Sequence, residues 1–248
     1  MLRRWRADLH IHTCLSPCAE KEMTPPAIVG QARKVGLELI AICDHNAADN
    51  AEAVMAVGRR EGVAVIPGIE ITTSEEVHIL GLFDRLRDLE AVCDHVDAYL
   101  EGENQPEVFG PQEVVDETGA VLRENKRLLI GACGLALDEV VGLIASYGGC
   151  AIASHIDREA FGLIGHLGFI PDVPLNGLEV SARMTVAEAR EKFALGTQYA
   201  IIRSSDAHRL EEIGKASSVL EMEAPTVPEI RRALEGVEGR KIISDFGF

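Results

Sequence analysis

Two imidazoles one residue apart, His10 and His12 in DLHIHT, stand near the start of the chain, and similar side chains recur at intervals after them. Asp44-His45, Glu70, His78, His155 and the triplet Asp206-Ala207-His208 complete the series. Imidazole nitrogens and carboxylate oxygens are donors for divalent metals, and with little sulfur they favour Zn, Mn or Fe over Ca or Mg. About eight donors exceed the needs of one four-coordinate ion, so the set predicts two or three divalent ions. Glu70 is a natural bridge, because its two oxygens can bind different metals.

Such donors make a site only if the fold brings them together. Apolar runs at 5–11, 37–43 (LELIAIC), 63–69 (VAVIPGI), 77–82 (VHILGL), 150–154, 177–181 and 199–203 predict seven strands. They are apolar at nearly every position, as strands covered on both faces must be, and they alternate with helix-like segments, which favours βα units over a sandwich. His10 and His12 end the first strand, Asp44-His45 the second, Glu70 the third and His155 the fifth, while Asp206 and His208 follow the seventh. In a βα barrel that C-terminal rim is where sites are built. A period of two also places His10 and His12 on one strand face. His78 begins its run instead, but a hairpin around Ser74-Glu75-Glu76 would set Thr72 opposite His78, with Glu70 on the same face. His95 lies off the apolar stripe of its helix and reads as solvated, and His166 in GHLGF has no partner at ligand spacing.

Between the strands, Thr24 is placed to cap a helix that Pro25 and Pro26 open, with Ile28, Ala32 and Val35 on one face and Gly36 at its end. Asp138 opens another that Gly148 and Gly149 close, and Thr185 with Glu188 fits a capping box. Leu86, Leu89, Cys93, Val96 and Leu100 recur at helical spacing within 84–100. Residues 101–137 are polar, contain Gly and Pro and break the rhythm, so they read as an insertion or lid within a single domain spanning 1–248.

With 248 residues and 47% hydrophobic content, the chain can bury one large core. Its 24 Lys+Arg against 40 Asp+Glu give a net charge of -16, which predicts repulsion of a long nucleic acid. A small phosphorylated substrate is compatible, because bound metal reverses the local field. No segment resembles a signal peptide or approaches the roughly 20 apolar residues of a membrane span. Cysteines 14, 18, 43, 93, 133 and 150 are scattered without a CxxC pair, which predicts a reduced, cytoplasmic protein.

The strings DLHIHT (8–13), ICDHN (42–46), PGIE (67–70), VHILGL (77–82), SHIDR (154–158), GLEVSA (177–182) and SSDAH (204–208), in this order, resemble the PHP (polymerase and histidinol phosphatase) domain family. The resemblance covers nearly the whole chain, with 101–137 and the last forty or so residues least diagnostic. It implies an α/β fold, a distorted seven-stranded (β/α)7 barrel, with a trinuclear metal site that hydrolyses phosphate esters. Carried over by position, His10, His12, Glu70 and Asp206 would hold one ion, and Glu70, His78 and His155 a second. His45 and His208 would hold a third with one ligand from the loop after His12. There the chain departs from the family, with Ser16-Pro17-Cys18 where nucleotide-hydrolysing relatives tend to have an aspartate. Cys18 is the expected substitute and Glu20 the reserve.

Cations a few ångströms apart lower the pKa of a bridging water and bear charge on phosphoryl oxygens. Asp206 and Glu70 are the candidate catalytic carboxylates; Asp206 is both ligand and potential proton acceptor. Arg158 and, less directly, Arg183 are the candidate phosphate-binding residues. The expected activity is metal-dependent hydrolysis of a small phosphate ester: a nucleotide, a nucleoside bisphosphate or a short oligonucleotide end. An amidohydrolase cleaving C–N bonds is the rival enzyme class, although such chains are generally longer and often carry a bridging lysine. A non-catalytic PHP-like binding module is the third reading and predicts eroded ligands, whereas erosion here is confined to one position.

Overall fold

The computed structural model describes residues 1–243, so the last five residues of the expected single domain lie outside the described residues. The apolar runs become β1 (Arg3–Ile11), β2 (Leu39–His45), β3 (Ala64–Thr72) and β4 (His78–Leu82). A small hairpin follows, β5 (Glu113–Val115) and β6 (Val121–Glu124), and then β7 (Cys150–Ala153), β8 (Gly177–Val180) and β9 (Ile201–Arg203). β10 (Ser218–Met222) and β11 (Lys241–Ile243) complete a nine-stranded sheet of order β11-β10-β1-β2-β3-β4-β7-β8-β9. After β9, Ala207 bridges Ile11 in parallel and its carbonyl accepts His12 N at 3.0 Å, which nearly closes the sheet into a barrel. The seven expected strands are therefore all present, joined by an antiparallel extension. β10 pairs with the first half of β1 (Arg3↔Met222 to Ala7↔Ser218) and β11 with β10.

Helices α1 (Pro25–Lys34), α2 (Ala51–Glu61), α3 (Leu86–Asp97), α4 (Pro106–Phe109), α5 (Leu137–Ser146), α6 (Leu163–Leu167), α7 (Val186–Lys192) and α8 (Val227–Glu235) lie between strands. The Thr185–Glu188 capping box forms, with Glu188 N donating to Thr185 Oγ1 at 3.2 Å. Thr24 differs from expectation: its side chain makes no cap bond, and its carbonyl accepts Ile28 N at 2.9 Å. With proline at the next two positions, the first two helical residues have no N–H for a hydroxyl to accept. In α3 the buried stripe is Leu89, Val92 and Val96. No helix among the described residues is long and apolar enough to cross a membrane, and all six cysteines are free.

Alternation decides what enters the barrel. Leu39, Ala41 and Cys43 face an interior shared with Ile66, Leu80, Leu82, Ile152 and Ile202, while Ile40 and Ile42 pack outward on α1 and α2. In β1, Trp5, Ala7 and Leu9 face inward, yet Ile11 packs outward. The register between β1 and β2 shifts between Asp8 and Ile11, and that irregularity turns His10 and His12 inward. β4 runs antiparallel to β3 with Thr72 paired to His78, so the first residue of β4 reaches the same rim as the last residues of β2 and β3.

Residues 101–137 hold α4 and the β5–β6 hairpin, and they are tied down by amides that follow β2. Asn50 Nδ2 donates to Glu113 O at 2.9 Å and Asn50 Oδ1 accepts Val115 N at 2.9 Å. Asn46 Nδ2 donates to Leu129 O and Gly131 O at 2.8 and 2.7 Å. Gly110 presses on the loop after His12: its φ is 98°, and a Cβ there would come within 2.5 Å of Pro17 O.

Candidate metal centre

Glu70 stands at the centre of the rim, fully buried. Its Oε1 lies 3.3 Å from His10 Nε2, 3.1 Å from His78 Nδ1 and 3.2 Å from His155 Nε2. Its Oε2 lies 3.4 Å from His12 Nε2 and 3.1 Å from His45 Nδ1. Asp206 Oδ1 approaches His12 Nε2 at 3.0 Å and His10 Nε2 at 3.3 Å, and the His208 ring stacks on His12 with centroids 4.1 Å apart. Eight of the expected donors thus converge from six strand ends.

His12 Nε2 and Asp206 Oδ1 are within hydrogen-bond geometry, but the contacts of Glu70 are not. His45 Nδ1 lies 3.1 Å from Glu70 Oε2 and His78 Nδ1 3.1 Å from Oε1, all four atoms buried, yet no hydrogen-bond geometry joins either pair. Lone pairs that converge without aligning share a focus instead. Two donors each about 2.1 Å from one ion lie about 3.0–3.4 Å apart at octahedral or tetrahedral angles, which is the spacing found here. Three sets have all donor atoms within 4.8 Å of one another: His10-His12-Glu70-Asp206, His45-Glu70-His78 and His12-His45-His208. The residues fit divalent cations.

Electrostatics follow from burial and crowding. Burial alone would raise the Glu70 and Asp206 carboxyls, but the neighbouring imidazoles hold both well below the usual range. Burial and the positive charge of His12 drive His45 down to about 4 and His208 to about 3. Neutral imidazole is the form that ligates metal.

Sequence reasoning missed the groups that hold the ligands. Glu179, fully buried, places Oε1 3.0 Å from His10 Nδ1 and accepts His155 N at 3.1 Å. Occupying Nδ1 turns His10 Nε2 toward the cluster. His12 is set the same way, with Nδ1 2.9 Å from Ser16 Oγ, which donates to Asp44 Oδ1 at 2.7 Å. Asp8 accepts Ser205 N and Gly214 N, both at 2.9 Å, and so anchors the Asp206 loop; its burial pushes its pKa to about 6. A lone carboxylate inside the apolar string GLEV was the available signal for Glu179.

Arg158 Nη1 lies 2.6 Å from Asp206 Oδ2, the oxygen turned away from His12, and its Nε is buried without a partner. Arg183 shares with Arg158, Ser205, Asp206 and Lys215 a cleft of about 150 Å³ that opens beside Asp206. Cys18 and His155 are outside the three converging sets, and His45 stands with Glu70 and His78 where His155 was expected. Cys18 is exposed as a residue, but burial of its thiol and the charges of Glu70 and Asp206 push that group up to about 12. Glu20 pairs with Arg209 at 3.2 Å, and His95 is exposed. His155 and Asp206 both take positive φ, 25° and 50°, a strained backbone for non-glycine residues at a rim.

The family model described as PHP domain matches residues 8–195, and one described as PHP-associated matches residues 188–236. A 5'-3' exoribonuclease of Haemophilus influenzae is 32% identical over 82 residues, 32% of this chain and 29% of that protein. A phosphoribosyl 1,2-cyclic phosphate 1,2-diphosphodiesterase of Eggerthella lenta is 34% identical over 80 residues, 30% of this chain and 29% of that protein. These matches span under a third of either relative's length. Among solved structures, the lesion-specific endonuclease PfuEndoQ from Pyrococcus furiosus shares the fold with a TM-score of 0.69 at 20% identity, over 97% of this chain and 58% of that one.

Proposed function

The chain belongs to the PHP domain family, and on that premise we propose that it is a metal-dependent phosphoesterase working at a three-ion site. The observation that carries the reading is Glu70, whose Oε1 faces three imidazoles and whose Oε2 faces two, so that both oxygens are available to different ions. His10, His12, Glu70 and Asp206 would hold one ion, Glu70, His78 and His155 a second, and His45 and His208 a third with Cys18 as the loop ligand. Bound divalent ions there supply an acidified water and bear charge on the phosphoryl oxygens.

The chain's own residues do the rest. Glu179 and Ser16 fix the His10 and His12 rings so that both Nε2 atoms face inward. Arg158 presents a planar fork to a phosphate, with Arg183 beyond it in the same cleft. Asp206 accepts a proton only when Arg158 leaves Oδ2, and a substrate phosphate competes for that guanidinium.

The substrate we propose is a small phosphate ester, a nucleotide or an oligonucleotide end. The net charge of -16 is no bar to a longer polyanion, because Arg158, Arg183 and Lys215 gather beside the cluster, and an exoribonuclease and an endonuclease are among the similar proteins. Protein loaded with Mn or Zn is expected to release phosphate from a mononucleotide, and His10→Ala to lose about 10³-fold or more of that activity, as removal of an essential group does. Equal turnover by the variant refutes the assignment.

A further inference from the structure

Phe161 lies in the turn between β7 and α6 with φ at 60°, a region that costs an aromatic residue conformational energy. Gly162 follows it directly, so the turn has a residue able to take that conformation freely one position away. The ring gains nothing from the core: it is 37% exposed and, among the described residues, it belongs to none of the packed apolar clusters. Its neighbour is His78, on which it stacks with centroids 4.5 Å apart and planes 17° from parallel. His78 in turn points Nδ1 at Glu70 Oε1, 3.1 Å away, and its backbone N donates to Phe161 O at 3.0 Å. The turn thus stacks a partly exposed aromatic ring on a candidate metal ligand.

Three residues earlier the same turn carries Arg158, whose guanidinium reaches Asp206. Gly162 and Gly165 make this tight turn possible, since a Cβ at either would come within 2.3 or 2.0 Å of Arg158 O. One rigid turn therefore presents a cation for a phosphate and a flat apolar face for what the phosphate is attached to.

We propose that Phe161 is a stacking platform for a planar ring in the alcohol part of the ester, which makes nucleoside phosphates the preferred substrate class over sugar or polyol phosphates. The inference rests on the phosphoesterase reading above. A base laid on Phe161 extends the stack that begins at His78, and base–aromatic stacking tolerates any base because each has a π-face.

The test compares adenosine 5'-monophosphate with ribose 5-phosphate, in which an anomeric hydroxyl replaces the base, using Mn-loaded protein. The wild type is expected to favour the nucleotide in kcat/KM, and Phe161→Leu to reduce that preference about tenfold, mainly through KM. Phe161→Trp is expected to keep or raise it. Phe161→Gly removes the ring and the strain together, so its melting temperature is expected to stay within about 2 °C of the wild type. An unchanged preference in Phe161→Leu, a preference lost in Phe161→Trp, or a fall of more than about 5 °C in Phe161→Gly overturns the platform, the last because it makes the ring structural. Hydrolysis of both esters without preference by the wild type overturns this inference alone, whereas hydrolysis of neither overturns the reading on which it rests.

Discussion

Replacing Glu179 tests whether the metal centre depends on residues that touch no metal. Glu179→Ala removes an acceptor that serves His10 Nδ1 at 3.0 Å and His155 N at 3.1 Å, and it leaves the His155 N–H buried without a partner. Hydrogen bonds to a charged acceptor contribute about 1.5–3 kcal/mol each. Glu179 Oε2 has no partner, so losing that desolvated oxygen offsets part of the cost. The net expectation for the metal-free protein is about 2–4 kcal/mol of lost stability, or roughly 4–16 °C in melting temperature for a chain of this size. Glu179→Gln keeps an oxygen for both donors while the unpartnered Oε2 becomes an amide nitrogen and the charge is removed, so it should lose less than half as much. Freed from Glu179, His10 is able to rotate Nε2 away from the cluster, and groups of this kind typically alter metal affinity by about 10–100-fold. Competition with a chromophoric chelator should rank affinity as wild type, then Gln, then Ala, with thermal melts in chelator following the same order. Wild-type affinity and melting in Glu179→Ala would show that the ligands hold themselves, and the positioning argument would fail.

Two further expectations concern the mouth of the site and the far end of the barrel. Cys18→Ala should retain two ions and lose the third, counted by elemental analysis after dialysis, and an unchanged metal count removes Cys18 from the ligand set. Glu229 accepts Arg240 Nε and Nη2 at 3.1 and 3.2 Å, Arg232 Nη1 at 2.9 Å and Glu223 N at 2.8 Å, and these bonds, Arg240 first, pull its carboxyl from 4.5 to about 2. A depressed carboxyl gives stability that is complete above pH 4.5 and lost as pH falls toward 2, so Glu229→Gln should lower stability at neutral pH and flatten that acid loss. Arg232 reaches solvent, so screening reduces the effect to about 1–2 kcal/mol, and parallel acid-melting curves for both proteins would contradict it.

Much of the site is legible in the sequence because ligands must stand where strands end, and strand ends follow from apolar runs. Cys43 to His45, Gly68 to Glu70 and the Thr72–His78 pairing all obey a period of two, and the hairpin register forms as the loop residues predict. His10 and His12 are a different case. Strict alternation from Trp5, Ala7 and Leu9 would turn both outward, and only the irregularity between Asp8 and Ile11 brings them in. The correct placement of the pair relied on its spacing, while the feature that aims it leaves no mark in composition.

β10 and β11 were illegible for a related reason. SVLEM and KII are short, and β10 pairs with the first half of β1 about two hundred residues away while β11 pairs with β10 from the edge, so their pairing is a long-range property that no local pattern announces. Glu179 hides in the opposite way, inside a strand apolar enough that a carboxylate looks like an interruption. In a covered strand an acidic residue survives only with partners, and for Glu179 the partner is the Nδ1 side of the His10 ring. In such a barrel, then, carboxylates at rim positions mark the ligands, and those one step deeper mark what orients them. The ranking of Glu179 variants tests that distinction, since a ligand and its orienting group differ in whether an uncharged oxygen suffices.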